Sequence, residues 1–76
     1  MTGEAIFSSN CAVCHKPDGS GSIGPKISEG ATKIRYPEVE DQIRLVTEGR
    51  NAMPAFGRQL TPAQIETVVN YVRDDL

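Results

Sequence analysis

Tryptophan is absent from this 76-residue chain, and only Phe7, Tyr36, Phe56 and Tyr71 are aromatic. So thin an aromatic complement leaves little to fill the centre of a chain this short, whose apolar core alone is marginal. Chains of this size ordinarily lean on a disulfide, a metal or a large prosthetic group. Something other than aromatic side chains is expected in the middle. Charge of one sign is also scarce: the formal net charge is −2, and no basic run is long enough to hold nucleic acid. No apolar stretch approaches the ~20 residues of a membrane helix. Thr2 to Ser9 is mixed rather than basic-then-apolar, unlike an export signal. Internal repeats, low-complexity segments and linkers are missing, and the length suits one domain over residues 1–76.

What is present reads as helix and loop, an all-α chain. A first helix is expected from Thr2 to Cys14, with Thr2 as N-cap and Glu4 at the positive end of the helix dipole. Gly3, Phe7, Cys11 and Cys14 follow one another at helical spacing and share a face. Gly3, a poor interior helix residue, suggests a close helix crossing. Lys16 to Gly24 is dense in turn residues and reads as loop. A short helix is expected around Lys26 to Ala31. A further helix starts at Pro37 and stops at Gly49, with Val39, Ile43 and Val46 as its apolar stripe. The last starts at Thr61-Pro62-Ala63-Gln64, a capping box with proline at the first helical position. Its inner face is Ile65, Val68, Val69, Val72 and Leu76.

The only cysteines are Cys11 and Cys14, and the only histidine is His15. Together they spell Cys-Ala-Val-Cys-His, the signature of c-type haem attachment. Two thiols three residues apart on a helical turn can each add to one of the two vinyl groups of a haem. The adjacent imidazole can then turn under the iron as its proximal ligand. Rival readings of the cluster fare worse. A structural zinc site wants four ligands and this cluster offers three. A thioredoxin-like redox pair wants a βαβ context. A disulfide at this spacing closes too small a loop to stabilise much.

A haem bound this way needs a group on the opposite face of the iron. The chain has no second histidine, and Met53 is its only internal thioether. Methionine is usually a core gap-filler, but Met53 stands in a loop directly before Pro54, which restricts it to extended conformations. Ligation is favoured over core packing; lysine or water as sixth ligand stays open.

In this order, Gly3 and Phe7, the Cys11–His15 motif, Gly24-Pro25, Gly49, Met53-Pro54-Ala55-Phe56 and Tyr71 resemble a class I c-type cytochrome of the small bacterial monohaem kind. The resemblance spans nearly the whole chain. It implies a cytochrome c fold: N- and C-terminal helices crossing near Gly3, a middle helix, and loops wrapped around one haem. It implies one haem c, covalent through Cys11 and Cys14, ligated by His15 and Met53, with the Pro25 carbonyl accepting a hydrogen bond from His15. Such a bond fixes the ring and raises its basicity. Lys26 to Tyr36 departs most from the family and leaves the propionate contacts unassigned. The resemblance also implies maturation outside the cytoplasm, hence a periplasmic or otherwise exported protein.

The function expected is electron transfer by a low-spin haem between redox partner proteins, in a monomer that is not an enzyme. Lys16, Lys26, Lys33, Arg50 and Arg58 could form a basic rim that steers an acidic partner. The alternatives are a haem c domain excised from a larger oxidoreductase, and a ligand-binding haem protein in which Met53 leaves. A purely structural helical module would give the Cys-Cys-His cluster no purpose.

Overall fold

The computed structural model describes residues 2–76, and they form five helices with no strand among them. In chain order these are α1 (Gly3–Asn10), α2 (Ala12–His15), α3 (Ala31–Arg35), α4 (Val39–Glu48) and α5 (Pro62–Asp74). The starts of the two terminal helices follow local chemistry. Thr2 Oγ1 accepts from the Ala5 amide at 3.1 Å. At α5, Thr61 Oγ1 accepts from the Gln64 amide at 3.2 Å while Gln64 Oε1 accepts from the Thr61 amide at 2.8 Å, closing the box.

Helix α5 packs against both α1 and α4. Its Ile65, Val68, Val69 and Val72 are buried as the 3.6-residue period requires, and Ile6 and Phe7 of α1 meet them. The α1–α5 crossing needs Gly3. A Cβ there would stand 2.5 Å from Tyr71 Cβ and 3.0 Å from the Thr67 carbonyl oxygen. One turn on, the rings of Phe7 and Tyr71 pack with centroids 5.7 Å apart.

Three boundaries differ from expectation. The N-terminal helix does not run unbroken to Cys14: it ends at Asn10, and Cys11 joins it to α2. The Asn10 side chain donates to the Ile6 carbonyl at 2.9 Å, a local bond that competes with the backbone ladder and bends helices. The short helix expected around Lys26 to Ala31 lies instead at Ala31–Arg35, because Glu29 and Gly30 have φ of 58° and 79° and cannot be helical. Helix α4 begins at Val39 rather than Pro37, with Glu38 extended at its N-cap. It does end at Gly49, whose φ is 76°.

Candidate haem site

The CxxCH turn is held from the loop that follows it. The last two carbonyls of α2 have no partner within their helix. Cys14 O accepts from the Gly24 amide at 2.8 Å, and His15 O from the Gly21 amide at 3.0 Å. The loop therefore folds back under the histidine. There the Pro25 carbonyl lies 2.7 Å from His15 Nδ1. A carbonyl only accepts, so Nδ1 is the protonated nitrogen of this bond and Nε2 is the one left to face the cavity. Gly24 makes this approach possible: a Cβ there would stand 2.6 Å from His15 Cε1 and 2.8 Å from Nδ1. Lys16, which turns the chain out of α2, holds φ 68° and ψ 157°, a region otherwise reserved for glycine.

The methionine loop is pinned as closely. Arg50 and Met53 exchange backbone hydrogen bonds of 3.1 and 2.9 Å across a turn in which Asn51 has φ 53°. The Phe56 and Gly57 amides then donate to the Val46 and Thr47 carbonyls of α4 at 3.0 and 3.1 Å. Gly49 lets the loop close on the helix end, since a Cβ there would meet the Met53 carbonyl oxygen at 2.7 Å.

Both segments face one cavity of about 440 Å³. Cys11, Cys14, His15 and Met53 all line it. So do Phe7, Phe56, Val68, Val69 and Val72, which are the core itself. The core is thus arranged around a space of cofactor size rather than closed on its own side chains. Cys11 and Cys14 are not joined in a disulfide, so both thiols are available before a haem is attached. Burial, and secondarily the charge of Cys14, pushes the Cys11 thiol up to about 11, so its sulfur stays neutral at physiological pH. A polar stretch of wall comes from Thr32, Arg35 and Tyr36, where Thr32 Oγ1 is buried with no hydrogen-bond partner. Two thiols, an imidazole with Nε2 free, a thioether, an apolar wall and a polar edge fit haem c. No group of three or more Cys, His, Asp or Glu among the described residues is arranged to hold a bare metal ion.

The expected basic rim is thinner than the sequence suggests. Lys26 pairs with Glu29 at 2.7 Å and Lys33 with Asp74 at 3.4 Å. Of the five cations expected there, only Arg50 lines the cavity; Arg35, which was not expected, joins it. Sequence reasoning also missed Gln42 and Arg73. Gln42 is 4% exposed on the cavity face of α4, and Arg73 Nη1 donates to its Oε1 at 2.9 Å. Helical position alone could have flagged Gln42, which lies one turn before Val46.

Residues 1–72 match the family described as cytochrome C oxidase, cbb3-type, subunit III. Cytochrome c6 of Gracilaria tenuistipitata var. liui is 41% identical over 73 residues, covering 92% of this chain and 67% of that protein. Cytochrome c6 of Bumilleriopsis filiformis is 42% identical over 73 residues, covering 92% and 84%. Among solved structures, cytochrome c6 from the diatom Phaeodactylum tricornutum superposes with a TM-score of 0.76 at 37% identity, covering 92% of this chain and 85% of that one. The chain belongs to the class I c-type cytochromes. It is an electron-transfer protein with one haem c attached through Cys11 and Cys14, and its fold is that of cytochrome c.

Proposed function

We propose that His15 and Met53 are the two axial ligands of this haem, making it low-spin. The chain, one cytochrome c domain over residues 1–76, then works as a monomeric shuttle between donor and acceptor proteins. The observation that carries the reading is the His15 Nδ1–Pro25 bond inside a cavity that Met53 also lines. That bond leaves Nε2 as the ring's only lone pair and fixes the plane of the imidazole. The Arg50–Met53 turn holds the thioether's backbone through both the amide and the carbonyl of Met53. The iron of the group supplies a one-electron change of oxidation state. With protein side chains on both axial faces, no coordination position is left for a substrate, and the chain is a carrier rather than an enzyme.

Thioether opposite imidazole raises the potential relative to two imidazoles, and the apolar wall acts in the same direction. Val13 and Ile23 border the cavity and are 77% and 79% exposed. They offer redox partners an apolar contact beside the site. No helix among the described residues is long and apolar enough to cross a membrane, and covalent haem attachment places the protein in the periplasm or another exported compartment. A redox titration with a carbon monoxide challenge tests the reading. A positive midpoint and no carbon monoxide binding at neutral pH are expected, with Met53→Ala lowering the midpoint and opening the site. A strongly negative midpoint, or carbon monoxide uptake by the parent protein, would count against Met53.

A further inference from the structure

Arg73 is a cation that meets no carboxylate among the described residues. From the last turn of α5 its Nη1 donates to the Tyr36 carbonyl at 2.6 Å and to Gln42 Oε1 at 2.9 Å, while Nη2 donates to the Pro37 carbonyl at 3.0 Å. All three acceptors are neutral, and no ion pair among the described residues includes Arg73. The neighbouring Asp74 is turned to Lys33. A guanidinium only partly open to solvent normally has its charge balanced, because desolvating it is costly.

Its location suggests what the charge is for. Tyr36 and Gln42 both line the haem cavity, so Arg73 stands one hydrogen bond behind the wall, at a junction of α5, α4 and the end of α3. Gln42 is a carboxamide buried in a face of α4 that otherwise presents Leu45 and Val46 to the cavity. A guanidinium carries donors only, so the bond settles which end of the amide meets it: the oxygen. The two amide N–H bonds are the end left for the cavity.

We propose that Arg73 sets the reduction potential of the haem site, as a partly buried positive charge with no counter-ion and by holding Gln42 with its amide donors available to the cavity. A fixed cation favours the less positive, reduced iron. Its influence is larger through a low-dielectric wall than through water. Donors aimed at an electron-rich group act in the same direction. The proposal rests on a haem filling this cavity, and not on Met53 being its ligand.

Potentiometric titration of the intact holoprotein tests it, comparing Arg73→Leu, Arg73→Lys, Gln42→Leu and Arg58→Leu. Arg58 is an exposed cation outside the cavity lining and controls for net charge. R73L is expected to move the ferric-to-ferrous ratio at a fixed potential about tenfold toward ferric, or 59 mV for a one-electron couple. The shift should persist at 1 M salt, where the Debye length is about 3 Å and exposed charges are screened. R73K should keep most of the parent potential, Q42L should fall between, and R58L should move the ratio less than about threefold at low salt. An R73L potential equal to the parent's, or an equal shift in R58L, overturns the proposal. If R73L yields no folded holoprotein, Q42L and R73K decide. Q42L leaves both backbone bonds of Arg73 in place, and a parent-like potential in it removes the positioning role. The ferric near-infrared spectrum, read on the same samples, separates the two readings. A parent protein without the sulfur-to-iron band loses Met53 as ligand, whereas R73L with that band and no shift fails this proposal alone.

Discussion

Replacing Gly24 with alanine adds one methyl group against the His15 imidazole. The new Cβ would lie 2.6, 2.8 and 3.0 Å from His15 Cε1, Nδ1 and Nε2. Carbon contacts are most favourable near 3.5–4.0 Å, so the ring must move by roughly 1 Å. Gly24 has no positive φ, so the backbone itself accepts alanine and the cost falls on the contact. Overpacking of this kind costs about 1–3 kcal/mol. Moving the ring also breaks the 2.7 Å bond from His15 Nδ1 to the Pro25 carbonyl, a further loss of about 0.5–1.5 kcal/mol. The sum, about 1.5–4.5 kcal/mol, corresponds to a fall in Tm of about 6–36 °C for a chain of this size. Thermal unfolding of the ferric holoprotein followed by circular dichroism reads it directly. Gly30→Ala is the companion: Gly30 has φ 79° but open space around it, so alanine costs about 1 kcal/mol of backbone strain and leaves the haem spectrum unchanged. A Gly24→Ala protein melting within about 2 °C of the parent, with the parent's spectrum, would refute the packing argument.

Two further outcomes follow from the same geometry. Lys16→Gly should stabilise the protein by about 1 kcal/mol, because a glycine-only conformation costs a side-chain residue about 1–3 kcal/mol and the entropy of glycine takes back part of the gain. Denaturant unfolding of the holoprotein measures this, and a destabilised variant would show that Lys16 is not strained. The haem-free chain should be largely unfolded: at about 24 cal/mol per Å³, a cavity of about 440 Å³ costs on the order of 10 kcal/mol, comparable with the whole stability expected at this length. Cys11→Ala/Cys14→Ala protein purified without haem tests it, and a cooperative thermal transition there would contradict it.

The parts of this site legible in the sequence are those whose chemistry is local. Cys11, Cys14 and His15 sit within five residues, and Thr61 with Gln64 close a capping box within four. Gly3 was legible as a glycine that the crossing of the terminal helices requires, whereas Gly24 read only as a turn residue of the Gly24-Pro25 loop and not as the place where the His15 imidazole packs. What escaped depends on distant partners. The position of α3 is set by the left-handed Glu29, whose amide donates to the carbonyl of Leu76 at the far end of the chain at 3.0 Å. The break at Cys11, beside the side-chain bond from Asn10 to the Ile6 carbonyl, is concealed by the helical spacing of Gly3, Phe7 and Cys11. Arg73 meets Gln42, Tyr36 and Pro37 only in the fold, across more than thirty residues of chain, so nothing local to it marks the contact.

If Met53 completes the coordination that His15 begins, the absorption spectrum carries the mark of a sulfur ligand. Oxidised and reduced protein would be recorded from the Soret through the weak near-infrared region, alongside Met53→Ala. A sharp low-spin α-band on reduction is expected, together with a ferric sulfur-to-iron charge-transfer band that Met53→Ala lacks. A high-spin spectrum in the parent protein, or a ferric sulfur band that survives in Met53→Ala, would contradict it.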